Sequence, residues 1–181
     1  MKRKIQSITQ TTTKRITKSI AIAILLISIA LLTSCAIIED VINLQAGMTR
    51  ASEYEQRYDV ASDVFIIFDE TLFSEPLPDN LHFELRNNSE RSYIYGDGAT
   101  GTLEVKIQGI WRAVTPYLGY AVSEVGFGLD PFTRVESSFP LFFYHNNLRP
   151  GQYRLVKRII HWDEPLVNPN IYIVFEEFTI I

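Results

Sequence analysis

The chain has 181 residues, with 17 basic and 21 acidic side chains, three histidines and one cysteine. A single cysteine excludes an intrachain disulfide, and the acidic balance counts against a nucleic-acid surface, which needs clustered Lys and Arg to neutralise phosphates. At 46% hydrophobic and 12% aromatic, the chain can bury a sizeable core without covalent staples.

The amino-terminal segment is basic. Lys2, Arg3, Lys4, Lys14, Arg15 and Lys18 precede the first apolar run, and no acidic residue occurs before Glu39. Ile20 to Leu32 is 13 residues of Ile, Ala and Leu broken only by Ser28. That length suits the apolar region of a signal peptide and falls short of the roughly 20 residues that span a bilayer. The run ends Leu32-Thr33-Ser34-Cys35, which resembles the lipobox of bacterial lipoproteins. The resemblance implies that the Cys35 thiol carries diacylglycerol, with palmitate among its acyl chains, and that cleavage makes Cys35 the first mature residue. Two other readings of the residues stand beside it. One is an uncleaved membrane helix over Ile20–Ile38, and the other is a free buried thiol. The helix reading keeps the basic end inside, and all three place the remainder outside the cytoplasm.

Residues 1–34 are therefore expected to be a lipoprotein signal peptide. Cleavage removes six of the 17 basic residues and none of the 21 acidic ones, leaving a net charge of −10 over 147 residues. So acidic a domain would be repelled by anionic headgroups, and lipid on Cys35 is its expected membrane partner. Ala36 after the cysteine permits outer-membrane sorting in a two-membrane host.

Residues 35–62 are expected to be the lipidated N-terminus and a tether of mixed polarity. A flexible segment of that length spans roughly 30 Å root-mean-square. Tyr54 and Tyr58, four apart, have the alternative of packing on the domain as a short helix.

Residues 63–181 show period-2 alternation and closely spaced turn signals. Val64-Phe65-Ile66-Ile67-Phe68 is a β-branched and aromatic run, broken by Glu75-Pro76-Leu77-Pro78-Asp79-Asn80. Leu81, Phe83 and Leu85 alternate with His82, Glu84 and Arg86, and Tyr93 to Tyr95 is extended. Thr102 to Gln108 places Leu103, Val105 and Ile107 on one face, and Gly109 turns it into Ile110 to Val114. Further strands are expected around Tyr120–Phe127, Ser137–Tyr144, Tyr153–Ile160 and Ile171–Ile180. In the last, Ile171, Ile173 and Phe175 are out of phase with Phe178 and Ile180, which predicts a bulge at Glu176-Glu177. This pattern predicts an all-β fold, an antiparallel β-sandwich. Leu148 to Tyr153 puts a tyrosine at the mouth of a strand after Pro150-Gly151. The tyrosine corner of immunoglobulin-like sandwiches has that arrangement, and the alternative is an ordinary half-buried tyrosine.

Several short motifs together resemble the bacterial Ig-like domains of low-GC Gram-positive bacteria: Leu81 to Ser89, Tyr93 to Gly96, Leu103-Glu104, Gly109-Ile110-Trp111, Leu148 to Arg154 and Glu177 to Ile180. The resemblance runs from Leu81 to the end and implies about seven strands, no disulfide and no catalytic residues to carry over. The stretch Gly96 to Gly101 is longer than that pattern.

The candidate chemistry is sparse. Gly96-Asp97-Gly98-Ala99-Thr100-Gly101 matches G-x-G-x-x-G, but strand rather than helix follows, so a glycine-rich hairpin loop is expected and no nucleotide. His82, His145 and His161 lack metal-ligand spacing, and no metal or other cofactor is expected; the alternative is a calcium site between strand ends to which Asp59, Asp63, Asp69, Glu70 and Asp79 contribute, although no EF-type spacing supports it. Aromatics are the remaining lead. Alternation would turn Phe142 and Tyr144, or else Phe143, outward, making Phe142, Phe143 and Tyr144 the candidate partner patch. The expected role is a membrane-anchored, extracytoplasmic, non-catalytic binding or spacer domain with an unknown protein or envelope partner. The alternatives are an immunity or inhibitor lipoprotein that blocks an exported enzyme, and a small metal-dependent hydrolase.

Overall fold

The computed structural model describes residues 47–54, 57–117, 119, 121, 125–165, 167 and 169–181. They form twelve strands and one 3-10 helix: β1 (Thr49–Ala51), β2 (Asp59–Val60), β3 (Val64–Phe68), β4 (Leu72–Phe73), β5 (Asn80–Asn87), β6 (Tyr93–Gly96), β7 (Thr102–Ile107), β8 (Ile110–Val114), β9 (Gly126–Leu129), β10 (Arg134–Pro140), the helix Leu141–Asn147, β11 (Gly151–His161) and β12 (Ile171–Ile180). The small sheet runs β10-β5-β3. The large sheet runs β1-β8-β7-β11-β12-β2, with β6 also on β11, β9 on β6 and β4 on β12. Strands β3, β5 and β10 face β7, β8, β11 and β12, which makes an all-β, Ig-like sandwich with short strands at its margins. All pairings are antiparallel except those of β2 and β4 with β12.

The core follows the alternation. Val64, Ile66 and Phe68 point inward from β3, while Phe65 and Ile67 face solvent. Leu81, Phe83 and Leu85 from β5 meet Leu103, Val105, Tyr153, Leu155 and Ile159 from the large sheet, all buried. Phe178 is the aromatic hub. Its ring stacks on Tyr153 at 5.6 Å and takes Phe68 and Phe73 edge-on, each at 5.6 Å. Gln108 and Gly109, both at positive φ (52° and 82°), close the two-residue hairpin between β7 and β8. Two positive φ values match the twist of a tight hairpin, and glycine takes one of them without steric cost.

Four expectations about local structure are corrected. First, the tether does not run to residue 62. Strand β1 pairs with β8, β2 pairs with β12, and Tyr54 is buried against Val156 and Ile173, so the sheet already includes Thr49. Tyr54 and Tyr58 do pack on the domain, with ring centroids 5.7 Å apart, Tyr54 in a bend and Tyr58 just before β2; residues 55 and 56 lie outside those described. Second, β12 has no bulge, since its register with β11 is continuous from Gly151↔Ile180 to Ile160↔Ile171. The change of phase arises because both faces are covered: Val174, Phe178 and Ile180 face the sandwich, and Ile173 lies under Tyr54.

Third, the strand around Ser137–Tyr144 stops at Pro140 and gives way to the 3-10 helix. Its three-residue period puts Leu141 and Tyr144 on the inward side and leaves Phe142 exposed. Fourth, Gly96 to Gly101 is not a hairpin loop. Strands β6 and β7 lie along the same edge of β11, β6 on Ile159–His161 and β7 on Tyr153–Val156. The glycine-rich stretch is thus an excursion from an interrupted strand opposite Lys157. Around Tyr120–Phe127 the observed strand is Gly126–Leu129, and residues 120 and 122–124 lie outside those described.

Candidate functional site

The expected lipidation site Cys35 and its neighbours Leu32, Thr33 and Ser34 lie outside the described residues. No helix among the described residues is long and apolar enough to cross a membrane. Tyr153 is buried at the start of β11. Its phenol donates to the Arg149 carbonyl at 2.7 Å and accepts from the Arg149 N–H at 2.9 Å, which clamps the turn leading into the strand.

The aromatic patch is smaller than expected. Tyr144 is buried and stacked on Phe139 at 5.5 Å, which removes it from the surface. Phe142 is 42% exposed and lies 4.0 Å, centroid to centroid, from the half-buried Phe143.

The acidic and imidazole groups are dispersed, and among the described residues no three of them converge to hold a metal ion. Both Asp63 oxygens accept from the Tyr93 phenol, at 2.9 and 2.8 Å. His161 stacks on Tyr93 at 4.6 Å, and His145 Nε2 sits 3.1 Å from the Pro78 carbonyl. His82 is exposed and lines an opening together with Asp69 and Pro78.

The glycine-rich excursion does structural work. The Lys157 side chain points inward and is 1% exposed. Its ammonium donates to the Asp97 carbonyl at 2.6 Å and to the Thr100 carbonyl, and it lies 5.6 Å from the Phe83 ring centroid. Burial lowers its pKa to about 8, against the opposing pull of Asp97. The Asp97 carboxylate in turn accepts from Thr100 N–H and Oγ1, both at 2.9 Å. The loop is thus tied internally and pinned to β11, with its carbonyls facing a cation, a polarity opposite to that of a phosphate cradle.

The outer face of the large sheet holds a second buried pair. Arg154 donates to Glu104 through Nε at 2.7 Å and Nη2 at 2.6 Å. The guanidinium carbon lies 4.4 Å from the Trp111 ring centroid and 5.0 Å from that of Phe175. Glu104 Oε1 has no hydrogen-bond partner among the described residues. The pair is sealed from solvent and has no access for a ligand.

One opening that faces solvent lies where β7 starts and β8 ends. It is a groove of about 400 Å³ whose walls include Arg50, Tyr54, Thr100, Thr102, Thr115 and Arg158, with Val114 and Pro116 as an apolar side. Arg50 enters from β1 and Arg158 from β11, both exposed. Tyr54 and Thr102 share a hydrogen bond of 2.8 Å across it. Burial raises the Tyr54 pKa and the nearby Arg158 charge works against that rise, so the cation's field reaches the phenol. The site escaped sequence reasoning because its parts come from five separate segments, Tyr144 on the 3-10 helix among them, and none carries a local motif.

Two sheets of mostly antiparallel strands, joined through a core without disulfide, define an Ig-like β-sandwich. The family model of the bacterial Ig-like domain matches residues 68–179, and the chain belongs to that family. No curated protein matches the chain.

Proposed function

We propose that this chain is a lipid-anchored, extracytoplasmic lipoprotein whose Ig-like domain binds or spaces and carries no catalysis of its own. The observation that carries the anchor is the basic start, the 13-residue apolar run and Leu32-Thr33-Ser34-Cys35 at its end. An exported domain that has lost its basic leader and holds a net charge of −10 gains little from an anionic membrane surface, so covalent lipid is the economical tether. Family membership supports the role of the domain, because an Ig-like sandwich is compatible with non-catalytic binding or spacing.

Cells expressing the chain are labelled with palmitate, and membrane and soluble fractions are compared for the native sequence and Cys35→Ala. The native chain should carry label and sediment with membranes. Cys35→Ala should lose the label and remain an unprocessed precursor or leave the membrane. A Cys35→Ala chain that is processed and held as before would refute the anchor. Crosslinking on intact cells tests the binding role by recovering a partner.

A further inference from the structure

The described arginines divide sharply by partner. Arg86 and Arg134 pair with Glu84, Arg154 with Glu104 and Arg91 with His161. Arg112 donates to Thr49, Arg149 to backbone carbonyls, and Arg57 lies over Tyr58. Arg50 and Arg158 alone have no hydrogen-bond acceptor, carboxylate or ring in contact among the described residues. Both line the groove where β7 starts and β8 ends.

Two unpaired guanidiniums facing one cleft repel each other, and a protein with 21 acidic residues has carboxylates to spare for neutralising them. Leaving these two open concentrates positive potential in a cleft of an otherwise acidic domain. Guanidinium forks match the geometry of an oxyanion, and Thr115 adds a hydroxyl on the same walls. Val114 and Pro116 supply apolar wall beside the cations.

We propose that the Arg50–Arg158 groove is an oxyanion site that receives the carboxylates of an acidic segment of a protein partner. The proposal rests on the reading of the domain as a binding module and names the partner's chemistry. A protein segment with one or two carboxylates and apolar neighbours fits better than a phosphate polymer. The polymer would satisfy two arginines and then lay its remaining charges along acidic surface, which costs free energy at each further phosphate.

The test uses the full chain in detergent, titrated calorimetrically with a capped peptide of alternating Leu and Glu, with its Leu/Gln counterpart, and with inorganic polyphosphate. The Glu peptide should bind, the Gln peptide should not, and Arg50→Gln or Arg158→Gln should each weaken binding about tenfold. Arg86→Gln, on the small sheet, should leave it unchanged. Raising salt should weaken binding to the native chain, a readout that needs no variant to fold. Absence of binding up to about 10 mM Glu peptide, equal binding of the Gln peptide, indifference to both arginines, or tighter binding of polyphosphate would each overturn the proposal. A partner crosslinked equally well by the native chain and the Arg50→Gln/Arg158→Gln variant would remove the groove while keeping the binding role.

Discussion

Lys157 donates its ammonium to the carbonyl of Asp97 at 2.6 Å, across 60 residues of sequence. The bond joins the middle of β11 to the loop that interrupts its neighbour, and a second bond to the Thr100 carbonyl completes the clasp. Lys157→Met keeps most of the volume and deletes both donors, leaving two loop carbonyls unpaired near the core. The expected loss is about 2–4 kcal/mol of unfolding free energy in a urea titration. A loss below about 0.5 kcal/mol would show that water replaces the lysine.

The same lysine gives the domain an alkaline stability maximum. Its folded pKa of about 8 lies below the ordinary 10.5, so the unfolded chain holds the proton over that interval and stability rises with pH through it. Tyr93 acts in the opposite sense. Burial, and then its bonds to Asp63, push its pKa from 10.0 to about 12, so its contribution is complete below pH 10 and is lost as pH climbs toward 12. Stability should therefore rise from about pH 8 to about pH 10, by no more than ~1.4 kcal/mol per pH unit, and then fall. Lys157→Met should remove the rising limb and keep the falling one. Equilibrium denaturation at a series of alkaline pH values checks both.

Tyr153→Phe retains the ring that stacks on Phe178 and removes only the hydroxyl that serves Arg149 N–H and C=O. Two backbone groups lose a buried partner, and the expected cost is about 1–3 kcal/mol, read as a lowered Tm. An unchanged Tm would mean that the turn before β11 holds itself.

Arg154→Leu should destabilise by about 3–5 kcal/mol, because the fully buried Glu104 carboxylate would be left without its cation. Combining it with Glu104→Leu should recover most of that loss, since an apolar pair of similar volume suits the same place beside Trp111 and Phe175. A double variant no better than the single one would locate the stabilisation in the stacked guanidinium rather than in the ion pair.

Phe132 has φ of 55° and is 68% exposed, so it bears left-handed strain and buries little in return. Phe132→Asn should raise stability by about 0.5–1 kcal/mol. Destabilisation by denaturant titration would show that the ring makes contacts worth more than its backbone costs.

Sequence period and structure agree where the apolar residues of a strand alternate regularly. Strands β3, β5 and β7 fall close to their expected spans, because Val64, Ile66 and Phe68, then Leu81, Phe83 and Leu85, then Leu103, Val105 and Ile107 alternate without interruption. The exceptions have particular causes. Phe142 and Tyr144 were assigned one face by a period of two, whereas the helix after Pro140 imposes a period of three. Strands β1, β2 and β4 have two or three residues each, too few to carry any period. Ile173 was read as one phase of a bulged strand because the residue that covers it, Tyr54, lies more than a hundred positions upstream. Lys157 sits among Leu155, Val156 and Arg158 like any solvent-facing cation of an amphipathic strand, and only its distant loop explains its burial. The groove of Arg50 and Arg158 was invisible for the same reason, since long-range pairing alone brings β1 and β11 to its walls.

Strand β10 is hydrogen-bonded to β5 on one side only, and open strand edges invite further strands. Gly98 lies so close to this strand that a Cβ would stand 2.2 Å from the Ser138 carbonyl and 2.8 Å from Ser137 Oγ. The loop clasped by Lys157 thus occupies ground where a second molecule's strand would otherwise approach. Gly98→Ala would force that loop away from Ser137 and Ser138, and the edge of β10 would then stand open to another strand.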